Sequence, residues 1–78
     1  MSLFPRLQQM ISGTLRVPAP SISMSTVNED LPAWDSLGHV NLMMALEQTF
    51  DIYVEVEDFE RLISVRAMLE YLDAKGVR

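Results

Sequence analysis

The sequence predicts an all-α domain, a bundle of three longer helices and one short one around a single core. Three observations predict it. Apolar residues recur at helical spacing in three separate segments. Residues able to cap a helix stand just before the second and third of these. The one stretch that alternates like a strand, Ile52 to Glu57, has no second strand to pair with. At 78 residues the chain is expected to form one domain, 1–78, with a modest core.

The first helix is expected over Leu3 to Leu15. Leu3, Leu7, Met10, Ile11 and Leu15 share a face, and Pro5 suits a first turn, where its missing N–H costs nothing. Gly13 weakens the helix and the run "RVPAP" ends it, since residues before proline avoid the helical region. Val17 to Trp34 then forms a long connection, a length that usually marks a functional or crossover loop. Ile22, Met24, Val27 and Leu31 are expected to pin it to the core, and Trp34 to pack it onto the bundle, where a buried indole N–H needs a partner.

The second helix is expected over Ser36 to Phe50, capped by Asp35 or Ser36. It has two apolar stripes. One is Leu42, Met43, Leu46 and Phe50; the other is Leu37, Val40 and Met44, beside Ser36. Two stripes mean two contacts, one of them with the core. The acids after Phe50 fail as a calcium loop, because Val56 stands where glycine is required and Leu62 where glutamate is. An extended link and a short helical turn from Glu57 to Leu62, burying Phe59 and Leu62, fit better. The last helix is expected over Val65 to Ala74, with Ser64 as N-cap, Val65, Met68, Leu69 and Leu72 buried, Lys75 near its negative end and Gly76 beyond it.

Composition narrows the function. There is no cysteine, so disulfides, thiolate nucleophiles and zinc–thiolate sites are excluded. His39 is the one histidine, which excludes a metal centre built on several imidazoles; no metal is expected. The span Val17 to Glu60 holds nine acids and no base, while each flank is about +2. Such a field repels nucleic acid and anionic lipid and attracts basic protein surfaces; a solvated face kept for solubility is the equally simple reading. No apolar run is long enough to span a membrane, and the opening "MSLFPRLQQM" lacks the apolar core of a signal peptide, so no membrane insertion and a cytoplasmic location are expected.

Ser36 is the residue these elements single out. Its hydroxyl sits at a helix N-terminus, where free N–H groups and the helix dipole favour an anion such as a phosphate ester. His39, three residues on, has poor geometry for a triad and no third group to orient it. Two readings stay open: a plain N-cap, or a hydroxyl that receives a phosphate. His39 has two as well: a solvated first-turn residue, or a proton-dependent charge near that phosphate.

The tripeptide Asp35-Ser36-Leu37, followed by "VNLMMALEQTF" and later by "ISV" at Ile63 to Val65, resembles the acyl carrier proteins. Their hallmark is Asp-Ser-Leu at the head of the second helix. The resemblance covers essentially the whole chain, best from Leu31 to Leu72. It implies the four-helix bundle of acyl-carrier type, with a long loop between helices one and two. It implies 4′-phosphopantetheine, transferred from coenzyme A to Ser36 by a phosphopantetheinyl transferase, with Asp35 and Leu37 beside it. The thiol missing from the chain then arrives with the arm, which carries acyl groups as thioesters. The protein is a substrate of other enzymes rather than an enzyme, and a monomer is expected.

The resemblance further implies that Leu37, Val40 and Met44, with Glu47, Asp51, Glu55 and Glu57, meet partner enzymes through basic docking patches. These partners are acyl ligases, acyltransferases or synthases. It makes Met43, Leu46, Leu62 and Met68 candidates for an acyl pocket, a use for which methionine is adaptable. Gly38, Asn41 and Gln48 stand where many members carry acids, which implies a specialised lipid or secondary-metabolite pathway rather than housekeeping fatty acid biosynthesis. A peptidyl or aminoacyl carrier, including the D-alanyl type, and an unmodified all-α interaction module are the alternatives.

Overall fold

The computed structural model describes residues 3–77; Met1, Ser2 and Arg78 of the expected 1–78 domain lie outside the described residues. The fold is the expected all-α bundle. Three α-helices, α1 (Phe4–Leu15), α2 (Ser36–Phe50) and α3 (Val65–Ala74), are joined by loops that contain three 3₁₀ segments, Ala19–Ser21, Asn28–Asp30 and Val56–Arg61.

α1 begins one residue later than its apolar pattern suggests: Leu3 is the N-cap residue and Pro5 lies in the first turn. The helix ends on Arg16, whose φ of 57° places a non-glycine residue in the left-handed region. The α1 face Leu7, Met10, Ile11 and Leu15 is buried. Its polar side is also used. The Gln8 amide donates to the carbonyls of Ala19 (2.8 Å) and Ile22 (2.9 Å), and the Ser12 hydroxyl to that of Val17 (2.6 Å). These bonds satisfy loop carbonyls from α1 side chains and hold the start of the long connection against the helix.

Ile22, Leu31 and Trp34 anchor the rest of the connection in the core. Met24, expected to do the same, is about half exposed, at 51%. The turn at Ser23 to Thr26 points it outward, and the Thr26 hydroxyl, which accepts from the Ser23 N–H at 2.8 Å, occupies the buried position instead. Thr26 to Asn28 also runs beside the entry to α3. Val65 N–H donates to Thr26 at 3.0 Å and Asn28 N–H to Ile63 at 2.9 Å, an isolated antiparallel bridge.

The short element is a 3₁₀ helix, Val56–Arg61, rather than a turn over Glu57 to Leu62. Its bonds run i to i+3, from Asp58 N–H to Glu55 (2.9 Å) and Leu62 N–H to Phe59 (3.3 Å). A three-residue repeat sets Phe59 and Leu62 on one edge. Leu62 is buried at the exit, whereas Phe59 is only half-buried at the rim. α3 is capped as expected: the Ser64 hydroxyl accepts from Ala67 N–H at 3.0 Å, and Gly76 follows the helix at φ 81°. Val65, Met68 and Leu72 are buried, and Leu69 is half-buried.

Candidate functional site

The site is built where α2 begins. Asp35, in extended conformation, is the N-cap, and its Oδ1 accepts from the Gly38 N–H at 2.8 Å. That settles which of the two candidates caps the helix. The Ser36 hydroxyl is therefore not spent on the backbone, and Ser36 is exposed in the first turn. Beside it lies an open groove of about 450 Å³ walled by Asn28, Trp34, Asp35, His39, Glu60 and Ile63.

Gly38 fixes how the helix meets the loop. It is buried, and a Cβ there would run into the Ala33 carbonyl oxygen and lie 3.1 Å from Leu15 Cδ2. Only glycine allows this approach. Gly38 is consequently not a place on the outer face where an acid is missing, as the resemblance suggested; Asn41 and Gln48 are, since both are exposed.

His39 is not the solvated residue that a first-turn position suggests. It is half-buried, and both ring nitrogens are engaged. Trp34 Nε1–H donates to His39 Nδ1 at 3.1 Å, and His39 Nε2 lies 2.6 Å from the Phe59 carbonyl. A carbonyl only accepts, so Nε2 carries the proton and the ring is the neutral tautomer. Trp34, 4% exposed, lies edge to edge with it, the ring planes 19° apart and the centroids separated by 6.3 Å. One side chain thus ties together the long connection, α2 and the 3₁₀ helix. Neither imidazole nitrogen is therefore free to act on Ser36.

Among the described residues nothing covers the second apolar stripe. Leu37, Val40 and Met44 are 71%, 45% and 53% exposed. Asp51, at the C-terminal end of α2, and Glu55 and Glu57, in the segment that follows, are exposed. Glu47 differs: it is half-buried, and its Oε2 accepts from Val54 N–H at 2.8 Å, so it braces the link after α2. Met43, Leu46, Leu62 and Met68 all lie in the packed core, none more than 2% exposed.

The His39 bridge and the Gly38 approach are the site features that sequence reasoning missed. A signal for the first was present: a buried tryptophan needs an acceptor, and the chain's one imidazole stands five residues on. Nothing local announces the second, because Ala33 and Leu15 reach Gly38 only through the fold.

The family model described as the phosphopantetheine attachment site matches residues 5–72. The acyl carrier protein of Campylobacter jejuni subsp. doylei is 35% identical over 74 residues, which cover 94% of this chain and 95% of that protein. That of Campylobacter fetus subsp. fetus is 35% identical over the same shares. That of Bdellovibrio bacteriovorus is 35% identical over 77 residues, 97% of each chain.

Proposed function

The chain belongs to the acyl carrier proteins, the family with a phosphopantetheine attachment site, and from that premise we propose that Ser36 is the residue that bears the arm. The observation that carries this is the division of labour at the head of α2: Asp35 caps the helix and leaves the Ser36 hydroxyl exposed. The residues fit a phosphate-linked group. The hydroxyl lies in the first turn, where helix dipole and unpaired N–H groups favour an anion, and the groove beside it gives the arm room. When bound, 4′-phosphopantetheine supplies the thiol on which acyl groups travel as thioesters; the chain itself has none.

The protein is then cargo bearer and substrate, not catalyst. His39 cannot act as a base for Ser36 while Trp34 and Phe59 occupy both its nitrogens. A phosphopantetheinyl transferase adds the arm, and acyl-handling enzymes load and unload it. The names of the relatives favour acyl cargo over the peptidyl and D-alanyl alternatives. Leu37, Val40 and Met44 form the docking anchors, with Asp51, Glu55 and Glu57 steering basic partners. Asn41 and Gln48, uncharged on that face, support service to dedicated enzymes in a specialised pathway. Among the described residues no helix is long and apolar enough to cross a membrane. A cytoplasmic monomer suits a carrier that must visit several enzymes in turn.

The test is intact mass before and after incubation with coenzyme A and a broad-specificity transferase, with Ser36→Ala alongside. Because Asp35 is the cap, the variant keeps its fold. A gain of one phosphopantetheine that is absent in the variant supports the assignment. No gain on folded protein with active transferase returns the chain to the unmodified interaction module.

A further inference from the structure

We propose that His39 is a positioning residue for arm transfer, an inference that rests on Ser36 bearing the arm. Three hydrogen bonds close around the tripeptide Asp35-Ser36-Leu37. The Asp35 carboxylate accepts from Gly38 N–H at 2.8 Å, the Asp35 carbonyl accepts from His39 N–H at 2.8 Å, and Trp34 Nε1–H donates to His39 Nδ1 at 3.1 Å. The first two are the ordinary bonds of a capped helix start. The third joins side chains on either side of the tripeptide, so Ser36 stands inside a loop whose two ends are stapled together.

The staple is itself anchored at both ends. Trp34 is buried, and its main-chain N–H donates to Leu31 at 2.9 Å, so the indole reaches His39 from the core. On the other side His39 Nε2–H donates to the Phe59 carbonyl at 2.6 Å. Phe59 adjoins Glu60, and Glu60 and Ile63 wall the same groove as Trp34, Ser36 and His39. One imidazole therefore sets two things at once. It fixes the direction from which the chain enters α2 at Ser36, and the separation of that turn from the 3₁₀ helix. Asp35 caps α2 without help from His39, and both imidazole bonds go to groups outside α2. The imidazole is thus not needed for the helix to form; its bonds fix where Ser36 is presented.

Arm transfer is exacting about that placement. The Ser36 Oγ attacks the phosphorus of coenzyme A that bears pantetheine. The new O–P bond replaces the pyrophosphate O–P bond, 3′,5′-adenosine bisphosphate leaves, and the hydroxyl proton passes to a base on the transferase. Such an attack depends on reacting atoms held in position, and a misplacement of about 1 Å can cost on the order of 100-fold. Docking is a separate demand. Val40 and Met44, exposed on α2, stand beyond the stapled loop, so their contacts with a transferase do not pass through the His39 ring. Loss of the staple is therefore expected in kcat and not in KM. His39 touches neither coenzyme A nor the phosphorus and acts only through Ser36.

Transfer from coenzyme A by a broad-specificity phosphopantetheinyl transferase is followed by intact mass on wild type, His39→Ala, His39→Gln, Trp34→Phe and Ile11→Val. A range of carrier concentrations gives kcat and KM separately. In His39→Ala kcat is expected to fall roughly ten-fold or more while KM stays close to that of wild type. Glutamine carries an acceptor for Trp34 and a donor for Phe59 side by side, so His39→Gln should recover most of the lost kcat. Trp34→Phe removes the staple and keeps the imidazole; it should lower kcat in the same way, and it decides the matter if His39→Ala does not fold. Ile11→Val trims the buried face of α1 and lowers the thermal midpoint without touching the staple, so its kcat should equal that of wild type. The positioning role is overturned by an unchanged kcat in His39→Ala and Trp34→Phe, by a loss confined to KM, by a glutamine variant as slow as the alanine one, or by an Ile11→Val protein slowed alike. Failure of every form to load, wild type included, with protein folded and transferase active on another carrier, would instead sink the Ser36 assignment and the positioning role with it.

Discussion

Gly38→Ala is expected to destabilise the protein although it replaces the poorest residue for a helix interior except proline with the best. Propensity favours alanine by about 1 kcal/mol. Against that stands the new methyl group, which meets the Ala33 carbonyl oxygen and, at 3.1 Å, Leu15 Cδ2. Leu15 can give by a few tenths of an ångström. The carbonyl cannot, because it is main chain in a turn closed by Trp34 N–H to Leu31 at 2.9 Å. The helix start must move instead, which strains the 2.8 Å bond from Gly38 N–H to the Asp35 cap. Overpacking costs about 1–3 kcal/mol, and a clash with unyielding main chain falls in the upper part of that range, about 2–3 kcal/mol. The net expectation is a loss of about 1–2 kcal/mol, seen as a lower urea midpoint at constant slope and a thermal midpoint lower by roughly 5–15 °C. Because the strain falls on the turn that holds Ser36, modification by the transferase should slow as well. A Gly38→Ala protein as stable as wild type, or more so, would show that propensity outweighs the close approach and would refute the argument.

Asp35→Ala should cost about 1 kcal/mol through the lost cap, and Asp35→Asn only a few tenths, since an amide oxygen still accepts from Gly38 N–H; equal urea midpoints for the two variants would disprove the capping role. Tyr71 donates to Asp58 Oδ2 at 2.9 Å, and burial together with that carboxylate raises its phenol above the ordinary value of 10.0. A raised folded value means that this group's stabilisation is present below pH 10.0 and is lost as pH climbs through the raised value. Tyr71→Phe should therefore lose part of wild type's decline in urea midpoint across that alkaline range, and an identical decline in both would contradict the linkage. Leu37→Ala and Met44→Ala should leave stability within about 0.5 kcal/mol, both side chains being largely exposed. Each should slow acyl loading by a partner enzyme roughly five-fold or more through a higher KM, and unchanged loading kinetics would remove them from the docking face.

The set of elements is legible from residue order alone. Helix positions follow from the 3.6-residue recurrence of Leu7, Met10, Ile11 and Leu15, of Leu42, Met43, Leu46 and Phe50, and of Val65, Met68 and Leu72, each bounded by proline, a cap or glycine. The prominence of Ser36 was equally local, because a hydroxyl at a helix start beside an apolar stripe is a property of consecutive residues. How residues far apart come to share one place follows only from packing. Asp35 and not Ser36 caps α2 because the backbone turns there in one way. Gly38 faces inward because the loop and Leu15 come to lie against it. His39 is bridged rather than solvated because Trp34, five residues back, and Phe59, twenty residues on, converge on its two nitrogens. Periodicity reports which face a residue occupies; hydrogen bonds across elements depend on distances and angles that exist only once the helices have packed.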